Sequence, residues 1–287
     1  MLIHRKRFLV MVCACVSWLQ VVHGAEPDST LARWYQQIGA PRPDEPFGRY
    51  LARTARAKHG VKYEDVSHAL GSETLHVEIE AFECVSFIEA ALAVARCGWS
   101  ADQTEACFAR ELEASRYRDG EMGDYSSRLH YFVDWIGDNE LRGRLSNLTA
   151  SLGGEPIRKD FFYISQRELK RADVVDDDEL ASLTETIEST EARLSATQHS
   201  VLPREKAPPV LNELLDGDIV AFVRERPGLL VHHAGLVYRS DATPRLLHAS
   251  SYHGRVVITV RDVTDYLLRR SERRGVIIAR PTAPQQP

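Results

Sequence analysis

The sequence predicts an α+β fold on two observations: amphipathic helical patterns fill its first part, and short β-type runs separated by turn residues fill its last. Helical periodicity runs through Ser29 to Ile38 and Phe47 to Lys58. It is strongest from Cys84 onward, where Cys84, Phe87, Ile88, Ala91, Leu92 and Ala95 share one stripe. Asp102 to Ser115, Ser127 to Ile136 and Asp178 to Ala196 also read as helices, the last polar enough to be a solvated surface element. Pro203 to Pro209 reads as a linker or loop. After it come the β-type runs Asp218–Val223, Leu229–Tyr238, Arg245–Ala249, Val256–Val260 and Val276–Ala279. Helices first and strands later imply a mainly antiparallel sheet.

Composition bounds the function. The chain has 287 residues, 44% hydrophobic and 27% charged, enough for a sizeable core. A net charge of -5, a pI near 6.1 and scattered basic residues give no signal for nucleic acid or a membrane surface. At the N-terminus, His4-Arg5-Lys6-Arg7 precedes an apolar run from Phe8 to Val22 and the small residues Gly24 and Ala25. This is a signal-peptide pattern over residues 1–25, so the protein is expected to be exported, with the periplasm as its compartment. Residues 26–287 are then one domain with an insertion at about 98–213. No membrane association is expected once the signal is removed.

Three cysteines remain after removal of the signal: Cys84, Cys97 and Cys107. An odd number in an exported chain leaves at least one thiol unpaired. Cys97 and Cys107 flank a turn between two helical patterns and are placed to pair, which would leave Cys84 free. The alternative is that all three are small buried hydrophobes. Cys84 opens a helix, where a thiol is most readily activated.

The strands carry a second cluster. Histidine interrupts apolar runs in Val231-His232-His233-Ala234-Gly235 and again in Leu247-His248-Ala249. A hairpin centred between Ser240 and Asp241 would set His233 opposite His248, with Cβ atoms about 5 Å apart. A bulge would alter that register, and His232 is a rival for the role of His233. A cysteine nucleophile needs a base, and the base needs a group to hold its ring. Cys84, His233 and His248 supply those three roles, with thiol activation by the helix start and the imidazole. Zinc is the competing use of one cysteine and two histidines, but no CxxC or HxxxH spacing supports it. Neither metal nor organic cofactor is expected.

The segments Phe82-Glu83-Cys84-Val85-Ser86-Phe87, Asp216-Gly217-Asp218-Ile219-Val220, His233-Ala234-Gly235-Leu236-Val237-Tyr238 and Leu247-His248-Ala249-Ser250 resemble the NlpC-type bacterial cell-wall cysteine peptidases. The resemblance implies a papain-like core, the nucleophile helix packed on the sheet, and Cys84, His233 and His248 as nucleophile, base and orienting residue. The long, largely helical insertion, with Ser127-Arg128-Leu129-His130-Tyr131-Phe132-Val133-Asp134-Trp135-Ile136, is similar to one branch, the N-acetylmuramoyl-L-alanine amidase-like family. Membership would imply hydrolysis of the amide joining N-acetylmuramic acid to the stem peptide in small released muropeptides, anhydro forms included. The alternatives are a γ-D-glutamyl-diamino acid endopeptidase and a non-catalytic wall-binding protein. Glu83 departs from the family's aspartate. Gly60-Val61-Lys62-Tyr63 matches its Gly-x-x-Tyr stretch, which would bring Tyr63 to the site.

On a helix, Leu129, Phe132, Val133 and Ile136 form an apolar stripe, while Arg128, Tyr131 and Trp135 share another face with Asp134 beside them. That face suits a sugar ring and a carboxylate. The plainer alternative is a half-buried helix with a polar edge.

Overall fold

The computed structural model describes residues 29–65, 73–77, 79–169 and 177–285. The expected signal segment lies outside them. Helices α1 (Thr30–Ile38) and α2 (Phe47–Arg56) come first, then β1 (Lys62–Tyr63), β2 (Ala81–Phe82) and α3 (Cys84–Trp99). Next are α4 (Glu105–Arg116), α5 (Phe132–Leu141), β3 (Leu145–Asn147), β4 (Glu155–Ile157), α6 (Asp177–Ala196), β5 (His199–Pro203) and α7 (Ala207–Asn212). The last part holds β6 (Ile219–Arg226), β7 (Leu229–Ser240), β8 (Thr243–Ser250), β9 (Arg255–Asp262), α8 (Val263–Leu268) and β10 (Arg273–Pro281). No helix among the described residues is long and apolar enough to cross a membrane.

The strands form one sheet in the order β2-β1-β9-β8-β7-β6-β10-β5-β4, with β3 also paired to β10. Pairings between them are antiparallel except β1 with β2. The expected α+β class and mainly antiparallel sheet are therefore present. The segment read as a largely helical insertion also lends β3, β4 and β5 to the sheet, strands too short for alternation to reveal them.

Strand alternation divides the core. Val220, Phe222, Val237, Leu246, Val276 and Ile278 pack with residues of α7 and α8 on one face. Ile219, Ala221, Ala234, Leu236, Leu247, Ala249 and Ile277 pack with α3 on the other. Residues 86–98 of α3 are buried around the whole helix, and its four alanines allow neighbours to approach closely. Enlarging one of them would overpack the core at about 1–3 kcal/mol.

Three local expectations are corrected. The β7–β8 hairpin turns at Asp241 and Ala242, both with positive φ, so Ser240 pairs with Thr243 and opposed residues lie two further along than expected. The helix expected over 127–136 begins only at Phe132. Asp124 binds the backbone N–H and hydroxyl of Ser126, Ser127 Oγ donates to the Asp124 carbonyl, and Arg128 forms a bridge with Tyr117. These side-chain bonds to local backbone divert the chain from a helix. Finally, α6 is not a purely solvated element: Leu183, Ile187, Glu191 and Leu194 are buried. Glu191 accepts from the Tyr131 hydroxyl and the N–H groups of Ile164 and Ser165.

Candidate active site

Cys84 is the first residue of α3, and its neighbour Glu83 caps that helix. The Glu83 carboxylate accepts from Val85 N at 2.9 Å and Ser86 N at 2.5 Å, while Ser86 Oγ accepts from Glu83 N at 3.1 Å. This is a capping box with acid and hydroxyl exchanged from their usual order, and it fixes the turn that aims Cys84. Cys97 and Cys107 form a disulfide with Cα atoms 6.0 Å apart, leaving Cys84 as the free thiol among the described residues, half-buried.

The backbone of β7 meets that thiol. Val237 N donates to Asp218 O at 2.7 Å, on the β6 side, so by alternation the Ala234 N–H points toward β8. The β7–β8 ladder runs from Ser240↔Thr243 to Leu236↔Leu247. Ala234 lies beyond its end, and its N–H is directed instead at the Cys84 sulfur. Helix α3 therefore starts where two central strands part.

His233 Nε2 and His248 Nδ1 are 2.7 Å apart, with the rings at 80° and centroids 4.8 Å apart. The residues are diagonal rather than opposite. In the observed register, His248 lies across from Gly235, where an added Cβ would meet His248 Cβ at 2.9 Å and Leu247 O at 3.0 Å. The missing side chain at Gly235 lets the His248 ring lean across to His233. His232 is the extra residue of a bulge, because Phe222 pairs with His233 and Val223 with Val231. It does not share the His233–His248 hydrogen bond, and its Nδ1 is buried without a partner among the described residues.

The charges of the cluster are set by burial. Burial, followed by the adjacent Glu83 carboxylate, pushes the Cys84 thiol well above its ordinary value, while the Ala234 N–H acts in the opposite direction. Burial, then His248, holds His233 well below the usual histidine range. Burial brings His248 down to about 3 and His232 to about 4. The thiol and the imidazoles are thus neutral at rest, whereas a helix start and an imidazole are expected from the sequence to lower the thiol. Burial is the first reason for the difference and the cap the second: the carboxylate that satisfies the helix N–H groups offsets their positive field. Burial also raises Glu83 above the usual carboxylate range.

Tyr63 stands close enough for the Cys84 charge to act on its hydroxyl, which donates to Asp65 at 2.6 Å. The other four expected binding residues are placed elsewhere. Trp135 is fully buried and stacked on Phe132 at 5.0 Å, so it presents no surface to a ligand. Tyr131 is buried with its hydroxyl on Glu191 at 2.5 Å. Asp134 is buried between Arg118 at 2.6 Å and Arg193 at 2.7 Å, and Arg128 is buried beside Glu73 at 3.3 Å. The common ligand-facing surface expected of them fails because Arg128 and Tyr131 precede the helix that carries Asp134 and Trp135.

Two neighbours of the histidines were not anticipated. The Tyr266 ring of α8 lies 5.3 Å from His248 and 6.0 Å from His233, and the Arg273 guanidinium sits 3.8 Å above it. Neither stands in a motif, because both arrive through the fold-back of α8 and β10. Gly235, by contrast, had a readable signal: a glycine inside a strand marks a close approach. Among the described residues, no group of three His, Cys, Asp or Glu side chains could hold a metal ion.

A free thiol at a helix start that meets the strand of His233, and a hydrogen-bonded histidine pair on the same mainly antiparallel sheet, are the components of a hydrolase-type site. Comparison with known proteins narrows the class: the chain belongs to the AmiA-like family of N-acetylmuramoyl-L-alanine amidase-like proteins, which matches residues 55–276. It is therefore an amidase-like hydrolase of peptidoglycan. Among solved structures it is similar to an N-acetylmuramoyl-L-alanine amidase from Bacteroides uniformis ATCC 8492, with 28% identity, a TM-score of 0.73, and 82% of this chain and 99% of that chain covered. It is also similar to a Bacteroides fragilis protein described as a candidate xylanase, with 29% identity, a TM-score of 0.71, and 79% and 98% covered. Protein LPG0564 from Legionella pneumophila shares the fold at 18% identity and a TM-score of 0.64, with 84% and 90% covered. No curated protein matches the chain.

Proposed function

We propose that the protein is an exported cysteine amidase that hydrolyses the bond between the lactyl carbonyl of N-acetylmuramic acid and the L-alanine of the stem peptide. The observation that carries this reading is the hydrogen bond between His233 Nε2 and His248 Nδ1, together with a free thiol at a helix start that the N–H of Ala234, the residue after His233, meets. With Nε2 committed to His248, Nδ1 is the His233 nitrogen available to the thiol. Cys84 gives its proton to Nδ1 as the sulfur attacks the lactyl carbonyl. The protonated His233 then donates to the departing alanine nitrogen, leaving a muramoyl thioester on Cys84. Water attacks the thioester with His233 as base, releasing the sugar acid and restoring the thiol.

Val85 and Ser86 N–H are held by Glu83, so the Cys84 N–H is the helix-start donor that faces the developing oxyanion. His248 holds the ring plane of His233, and Tyr63 borders the scissile bond. The order of cysteine helix and histidine strands supports a papain-like NlpC-type core. Export is supported by the sequence of residues 1–25 and by the Cys97–Cys107 disulfide. A xylanase would need two carboxylates about a glycosidic bond, and the carboxylate next to Cys84 is occupied in capping α3.

The test is product analysis by mass spectrometry after incubating anhydro-disaccharide tetrapeptide with the protein and with Cys84→Ala. Free disaccharide and intact tetrapeptide, formed only by the unsubstituted protein, is the expected result. Disaccharide still bearing Ala-Glu would move the cut to the endopeptidase position.

A further inference from the structure

Beyond His248, on the side of β9 and α8, lies a cavity of about 540 Å³ to which the reaction above gives no role. Its lining includes His248, Tyr266, Arg255, Arg270 and Arg273. It also includes Asp265, which is paired with Arg261 and Arg269, and Asp262, which caps α8 through Asp265 N at 2.7 Å. Its carboxylates are thus occupied locally, whereas the Arg255 and Arg270 side chains project into solvent beside it.

The proton inventory of the two histidines points to the same cavity. For His233 to accept a proton at Nδ1, its neutral ring must carry hydrogen on Nε2 and donate it to His248 Nδ1. His248 must then carry its own hydrogen on Nε2. That nitrogen is buried and has no hydrogen-bond partner among the described residues. His248 is only 3% exposed, so its Nε2–H is a donor lacking an acceptor at the wall of a basic cavity. Nδ1 faces His233 on β7, so Nε2 is directed to the opposite side, toward β9 and α8. In the other tautomer His248 would donate to His233, which would then hold hydrogen on Nδ1 and be unable to take the proton of the thiol.

We propose that this cavity binds a small oxyanion, a carboxylate or phosphate, held by Arg255, Arg270 and Arg273 and accepting the His248 Nε2–H, and that its binding selects the productive tautomer of the histidine pair. The proposal rests on His233 being the base of the reaction proposed above. His248 is then a positioning residue whose own position is completed by the anion.

The experiment is titration of inorganic phosphate into Cys84→Ala protein at constant ionic strength, followed by calorimetry and by the ¹⁵N resonances of selectively labelled histidine. The expected result is saturable binding that moves the His248 Nε2–H signal, weakened about tenfold or more in Arg255→Gln/Arg270→Gln protein with an unchanged melting temperature. Absence of saturable binding, binding unaffected by the double substitution, or binding that leaves His248 unmoved would each overturn it. Kinetics then separates two sources of the anion. A free effector raises kcat without competing with substrate, whereas phosphate replacing a substrate carboxylate competes. Because the titration needs no turnover, failure of the amidase reading would leave its result standing.

Discussion

His248 reaches His233 diagonally across Gly235, at 2.7 Å between ring nitrogens, in a hairpin where the two residues are not opposed. Gly235→Ala should therefore disturb the pair directly, because its Cβ would also meet Leu246 Cδ1 at 2.8 Å. The expected outcome is a loss of about 1–3 kcal/mol in stability and at least a tenfold fall in kcat. Urea unfolding and steady-state kinetics on the same preparation measure both.

The neutral resting thiol has its own signature. Burial is the first cause of its raised pKa and the Glu83 carboxylate the second, so alkylation of Cys84 by iodoacetamide should keep accelerating above pH 9. Glu83→Gln removes the negative charge while keeping a polar cap, and should speed alkylation at pH 8. A rate that is already flat by pH 7 would show a preformed thiolate instead.

Acid should destabilise the fold through its histidines. His248 is held to about 3, His232 and His130 to about 4, and His233 is also lowered, against an ordinary value of 6.5. Above about pH 6.5 neither state binds these protons, and the contribution to stability is fully present. As pH falls below that, the unfolded chain takes up protons that the folded chain excludes, at up to about 1.4 kcal/mol per pH unit for each histidine. Urea midpoints should thus decline steadily from pH 7 to pH 5, and equal midpoints would contradict the burial argument.

Trp135 separates two roles that the sequence left open. Fully buried, it should cost about 3–5 kcal/mol when replaced by alanine. In whatever fraction remains folded, KM should stay close to that of the unsubstituted protein. A large rise in KM with little loss of stability would restore Trp135 to the substrate cleft.

Much of this arrangement was legible before the fold was known, for reasons that differ by element. The stripe from Cys84 to Ala95 has one period over many residues, so α3 and its first residue were readable. The strands of the last part were readable from β-branched runs between turns. The hairpin register was not, because the turn sets Ala242 in a left-handed conformation that alanine seldom adopts, and Pro244 is drawn into β8. The face assigned to Arg128, Tyr131 and Trp135 failed for a local reason, since serine and aspartate side chains redirected the backbone before Phe132. Tyr266 and Arg273 depend on long-range folding and leave no pattern in the chain.

The most direct test of Cys84 as the nucleophile is the intact mass of the protein after a rapid acid quench with anhydro-muropeptide, followed by mapping of the peptide that contains Cys84. A mass increment equal to the anhydro-muramoyl acyl group, located on Cys84 and removed by hydroxylamine, is the predicted result. An adduct carrying a glutamyl-peptide acyl group, or turnover with no adduct on Cys84 at any quench time, would contradict it.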